Sequence, residues 1–148
     1  RLVECGISFD AFTTHEPSSV FVYEAIKAFG GAKAFYQDIY IGSVCPLGFT
    51  IRKKGNWVNF NYYDRTSFAK ALAPYLLAQI RAQIELAGKN DRIIVFGTGK
   101  NLKFLTRLNQ EFNFTPELIA LEHPRYIMQY KYRDRETYIT KYLEAFSL

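Results

Sequence analysis

The chain has 148 residues, 49% of them hydrophobic, which is enough for one domain with one core and no disulfide staples. No apolar run reaches the ~18 residues of a membrane span, and Cys5 and Cys45 share no metal-ligand spacing with each other or with a histidine. A net charge of +5 with 17% aromatic residues suits a nucleic-acid binder, because cations meet phosphates and aromatic faces meet bases, although many small domains are mildly basic.

In chain order, residues 1–10 read as a short strand or an extended loop and residues 12–17 as a loop. Ser18 or Ser19 is the expected N-cap of a helix over 20–29, stopped by Gly30-Gly31, with a helical turn over 32–36. Residues 39–45 (IYIGSVC) form the next expected strand, ended by Pro46. Residues 49–62 read as a β-hairpin turning at Lys54-Gly55-Asn56, approached by the basic run Arg52, Lys53, Lys54. Asp64 or Thr66 caps a long helix to Ala87, with Gly88 as its stop and Pro74 as a point of kinking. Leu72, Leu76, Ile80, Ile84 and Ala87 are its expected inward stripe.

A strand over 92–96 (RIIVF) leads into Gly97-Thr98-Gly99-Lys100 and a helix to Phe112. The glycines resemble a phosphate-binding loop poorly. Ile94 stands where the first glycine belongs, and Asn101 replaces the hydroxyl after the lysine. A tight turn with exposed helix N-terminal amides is expected, with Thr98 and Lys100 able to hold one DNA phosphate. A nucleotide-binding protein using Gly97 to Lys100 is the weaker reading.

Residues 118–121 (LIAL) form a fourth strand, and Pro124 then puts His123 at its carboxyl end. Ligands of open α/β sheets bind at that edge. Alone, His123 suits either a structural hydrogen-bonder or a site residue; the loop of cations and large side chains behind it speaks for the site. Asp134 caps a last helix over 136–146. Strands separated by helices imply a parallel sheet covered on both faces. Both cysteines are expected reduced and buried, as in a cytoplasmic protein.

These motifs resemble a known family. Residues 36–47 (YQDIYIGSVCPL), a long helix, the strand end Phe96-Gly97-Thr98-Gly99 and residues 119–125 (IALEHPR) resemble the SMUG-like branch of the uracil-DNA glycosylase superfamily, in its bacterial subgroup. The resemblance implies a three-layer α/β/α fold with a central four-stranded parallel sheet. It implies a monofunctional, monomeric glycosylase of the bacterial cytoplasm that flips uracil out of DNA and hydrolyses its N-glycosidic bond without metal or cofactor. His123 would donate a hydrogen bond to the departing base. Gly42, Ser43, Cys45, Pro46 and Leu47 would contact that base. Pro124, Arg125, Tyr126, Ile127, Met128 and Lys131 would enter the duplex, Ile127 and Met128 as apolar wedges.

Two positions depart from the family pattern. Ser43 stands where the family has an asparagine that reads the uracil edge, so recognition shifts to a hydroxyl, nearby backbone groups or a bridging water. The family's Gly-Pro-rich first motif, with its water-positioning residue and following aromatic, has no counterpart in these residues. Its strand belongs in the middle of the sheet, so the numbered chain is expected to be the larger, C-terminal part of a longer protein. The same departure keeps open a non-catalytic DNA damage-binding module on this fold.

Overall fold

The computed structural model describes residues 16–88 and 91–147. The expected elements over 1–10, Cys5 and His15 lie outside the described residues.

The first helix, α1, spans Pro17–Ala28. Its cap is Glu16 rather than Ser18 or Ser19: Pro17 occupies the first helical position, and the Glu16 carboxylate accepts from the Ser19 N–H at 2.8 Å. Proline's fixed φ pre-sets a helix start, which draws the cap upstream. The chain reverses through Gly30 and Gly31, whose φ of 121° and 90° suits glycine. Helix α2 then runs over Ala32–Asp38, extending past the expected 32–36 to Asp38.

Residues 39–48 do not form the predicted strand. A strand needs a ladder partner, and here a side chain takes the ladder groups. Gln83 accepts from the Ser43 N–H at 3.0 Å and donates to the Ser43 carbonyl at 2.9 Å. Tyr40 and Ile41 are exposed, not buried as a central strand would have them. Cys45 is half-buried rather than buried, its thiol donating to the Leu47 carbonyl.

The hairpin forms as expected, with β1 over Phe49–Lys53 and β2 over Asn56–Phe60. Its loop is the two residues Lys54 and Gly55, both at positive φ, as a twist-matched hairpin turn requires. Asp64 caps the preceding 3₁₀ turn, Tyr62–Asp64, through Asn61. Helix α3 follows over Thr66–Ala87 and continues through Pro74, with Arg65 at its N-cap and Gly88 in the left-handed conformation at its end. Its buried residues are Ala69, Leu76, Leu77 and Ile80, so the inward face sits slightly rotated from the predicted stripe and leaves Ala87 exposed.

Strand β3 covers Ile93–Phe96, α4 covers Lys100–Phe112 and β4 covers Leu118–Leu121. The two strands pair in parallel, Ile93 opposite Leu118 through Phe96 opposite Leu121. Among the described residues this parallel sheet has two strands; of the four expected, one central strand was expected to lie outside these residues, and the segment over 39–48 does not supply its own. The stretch behind His123, predicted as a loop, is helix α5 over Pro124–Tyr130, and α6 spans Arg135–Ser147.

The three-layer arrangement is carried by side-chain alternation along the sheet. Ile94, Phe96, Ile119 and Leu121 face a cluster made by Phe21, Ile26, Phe35, Ile127, Tyr142 and Phe146 of α1, α2, α5 and α6. Ile93, Val95 and Leu118 face the opposite cluster, with Leu77, Ile80, Leu105 and Leu108 of α3 and α4. A parallel strand covered on both faces reads as a continuous apolar run, which is why IIVF and LIAL were legible. Among the described residues, no helix is long and apolar enough to cross a membrane.

Candidate functional site

The carboxyl ends of β3 and β4 lie side by side, held by the Gly97 N–H donating to the Leu121 carbonyl at 2.7 Å. Gly97 has φ +124°, a conformation costly for any residue with a Cβ. The turn places Gly97 against the His123 ring, whose Cδ2 would lie 3.9 Å from a Cβ built there. Two residues past β4, His123 is the N-cap of α5 with Pro124 at the first helical position.

The His123 ring is oriented by its own helix. Its Nδ1 accepts from the Arg125 N–H at 3.1 Å, which satisfies one of the orphan amides of the first turn. A nitrogen that accepts carries no proton, so the neutral ring holds its hydrogen on Nε2. Partial burial lowers the imidazole pKa. The Glu16 carboxylate opposes that and the Arg125 guanidinium adds to it, for a net value below the ordinary 6.5. At neutral pH His123 is therefore an uncharged Nε2–H donor.

Burial tends to raise the Glu16 carboxyl. Hydrogen bonds from the Ser18 hydroxyl and the Ser18 and Ser19 amides outweigh it, with help from Arg125, and leave the group below the usual carboxylate range. A carboxylate, an imidazole and a guanidinium thus influence one another's charge where α1 begins beside α5.

A cleft of about 310 Å³ opens at this place, lined by Ser18, Ser19, Val22 and Tyr23 of α1, Tyr36 of α2, Ile41, Phe96 at the end of β3, and His123 with Pro124. That volume is near the lower end for small-molecule sites and suits a single planar heterocycle. Aromatic and aliphatic walls offer stacking surface, and the imidazole offers a directed hydrogen bond, while the Ser18 and Ser19 hydroxyls donate to Glu16.

The predicted site residues divide in this geometry. His123 and Pro124 line the cleft; Gly42, Ser43, Cys45, Pro46 and Leu47 lie outside its walls, which take in only their neighbour Ile41. The Ser43 hydroxyl donates to the Cys45 carbonyl at 3.0 Å, so both its backbone groups and its proton are engaged. A Cβ on Gly42 would come within 1.9 Å of the Gln83 Oε1, so glycine there is what lets Gln83 approach.

In the stretch predicted to enter DNA, the wedge assignment of Ile127 is corrected: this residue is fully buried in the core, and Met128 packs half-buried against the same cluster. Helical geometry is the reason, because Pro124 and Ile127 are three apart and share the inward face. Pro124 is likewise buried, whereas Arg125 and Tyr126 are exposed and Lys131 is half-buried. Thr98 and Lys100 are exposed at the start of α4, with Lys100 paired to Asp64 at 3.2 Å.

Sequence reasoning missed Glu16, Ser18, Tyr36 and Phe96 as parts of this corner. Tyr36 opens the motif YQDIYIGSVCPL, and Phe96 ends an apolar strand at the ligand-binding edge, so both carried a signal. Glu16 carried none, because its neighbours in space are far along the chain.

A neutral imidazole donor beside a small cleft, at the carboxyl edge of a parallel sheet, defines an α/β protein with a candidate binding site at its strand ends. The chain belongs to the uracil-DNA glycosylase superfamily, whose family model matches residues 6–147. It is similar to wild-type SMUG2 of Pedobacter heparinus in its crystal structure, with 48% sequence identity and a TM-score of 0.87, which places it in the SMUG-like branch. The match covers 99% of this chain and 63% of that one, so the chain spans less than two thirds of the length of its structural relative. Among curated proteins none matches.

Proposed function

We propose that this chain carries the leaving-base side of a monofunctional DNA glycosylase that releases uracil from DNA by hydrolysis. The observation that carries the proposal is the state of His123: Nδ1 accepts from the Arg125 amide, which leaves the neutral ring its proton on Nε2, and the residue lines the cleft. When the N-glycosidic bond breaks, its electron pair goes to the base and positive charge spreads over the sugar. A donor already in place meets the charge on the base without reorganising, which lowers the barrier. Water then adds to the sugar and completes the hydrolysis. A flipped uracil would lie between the walls made by Tyr36 and Phe96. The 42–47 segment, continuous with Ile41, would reach its polar edge through Ser43 and nearby backbone groups. Arg125 and Tyr126 would meet the duplex from the outward face of α5, with Thr98 and Lys100 on a neighbouring phosphate. DNA as substrate implies a place in the bacterial cytoplasm.

The test is uracil release from an oligonucleotide by the full-length protein. Loss of one preorganised donor typically costs about 100- to 1,000-fold, so His123→Ala should reduce single-turnover release by that order and leave DNA binding within a few-fold. Undiminished release by His123→Ala would overturn the assignment. Tight binding of uracil-containing DNA by the wild type with no release at all would favour the damage-binding module instead.

A further inference from the structure

The β1–β2 hairpin plays no part in the cleft, yet it has a surface that the core does not explain. Its inward face is accounted for: Phe49 and Phe60 pack on Phe68 of α3, with ring centroids 5.0 and 5.5 Å away, and Arg65 lies over Phe60. Ile51 and Val58 share that half-buried face. The outward face is different. Arg52 pairs in register with Trp57, and Thr50 with Asn59, all of them exposed. Trp57 is 70% exposed, an unusual place for so large an apolar ring. Lys54 in the turn carries the positive charge to the tip, where the exposed Lys53, paired with Asn56, adds a cation from the side of Ile51 and Val58, and residues 49–60 contain no acidic side chain. Lys54 holds its position at φ +47° in the tight turn, so the row is displayed on a defined backbone.

We infer that this outward face and the hairpin tip form a second DNA-contact surface, separate from the cleft: Trp57 stacks on an unpaired base of the bound strand while Arg52, with Lys53 and Lys54 at the tip, meets its phosphates. Charge selects the partner. Three clustered cations without an acid repel basic surfaces and attract a polyanion, and an indole beside them matches the stacking platforms on which strands are held. The hairpin would then hold DNA outside the cleft and raise affinity without touching the bond that breaks. The inference rests on the glycosylase reading only for its partner, DNA.

Trp57 is the one tryptophan of these 148 residues, and the difference in emission between wild type and Trp57→Phe isolates its contact. Titrating the full-length protein with a uracil-free single-stranded oligonucleotide should quench its emission to saturation. Unchanged emission under conditions where the same oligonucleotide binds would overturn the stacking role. Trp57→Ala should weaken binding of that oligonucleotide about 10-fold or more. An Arg52→Gln, Lys53→Gln, Lys54→Gln variant should flatten the dependence of log affinity on log salt by about 2 to 3. A salt slope equal to wild type would overturn the phosphate contacts. All four residues are exposed, and a circular-dichroism melt matching wild type shows that the variants remain folded. Single-turnover release at saturating DNA should stay unchanged in each. Weaker DNA binding in these variants together with undiminished release by His123→Ala would uphold the hairpin and overturn the glycosylase site. The reverse pattern would overturn the hairpin alone.

Discussion

At His123 a single backbone amide decides what the imidazole can do. The Arg125 N–H occupies Nδ1, and the neutral ring must then present its proton at Nε2. Because burial and Arg125 outweigh Glu16, the folded state holds the extra proton less tightly than the unfolded chain. The sign follows: as pH falls through the ordinary value of 6.5, the unfolded state takes up the proton first, so the stability linked to this group is intact at pH 8 and declines toward pH 5. The resonance lost in a His123→Gln variant identifies the signal of His123 in an NMR titration. The expected midpoint lies below 6.5, with nitrogen shifts of the Nε2–H tautomer; a midpoint above that value or an Nδ1–H ring would overturn this account. His123 was legible from the sequence because Pro124 marks the strand exit. Its tautomer was not, since that depends on the Arg125 amide of the first turn of α5 meeting Nδ1.

Among the elements, the segment over 39–48 shows how far local pattern can mislead. Its alternating and β-branched residues favour a strand, but a strand exists only where a neighbour supplies the ladder. Gln83, forty positions later in the chain, takes both groups of the Ser43 peptide instead. Each net hydrogen bond is worth roughly 0.5–1.5 kcal/mol, so Gln83→Ala should cost about 1–2 kcal/mol by urea unfolding. Gly42→Ala should cost about the same, because its Cβ would displace the Gln83 amide. The two changes remove one interaction, so the double variant should be little worse than either single one. Additive losses would show that Gly42 acts through something other than Gln83. Helix α5 was hidden for a related reason. A proline after an apolar run ends a strand, but it starts a helix equally well, and only the buried places of Pro124 and Ile127 show which role prevails.

Across the whole molecule, Tyr142 of α6 joins the layers behind the site. Its ring packs at 5.0 Å from Phe21 of α1 and 5.3 Å from Phe96 of β3. Its hydroxyl donates to the carbonyl of Glu122, the residue directly before His123, and burial keeps that phenol protonated by pushing its pKa well up. Lys141 grips the Glu122 carboxylate at 2.9 Å from the same helix. The corner that aims His123 is thus pinned from α6. Tyr142→Phe removes that donor from the Glu122 carbonyl and should cost about 1–3 kcal/mol of stability. It should also slow uracil release more than it weakens DNA binding and move the NMR titration of His123. A stability loss with an unmoved His123 titration would confine Tyr142 to packing.

By itself the sequence determined the layer order, the two strands over 93–96 and 118–121, the hairpin with its Lys54-Gly55 turn, and the place of His123 at a sheet edge. Those features are written in short-range terms: apolar runs buried on both faces, glycine at positive φ, and proline at an element boundary. The tertiary structure alone decided that 39–48 is pinned by a side chain, that Ile127 belongs to the core, and that Tyr36 and Phe96 line one cleft with His123 while Glu16 acts on the imidazole through its charge. Each of those depends on groups brought together from distant parts of the chain, where hydrogen-bond partners and shared faces are fixed by packing and not by neighbours in sequence.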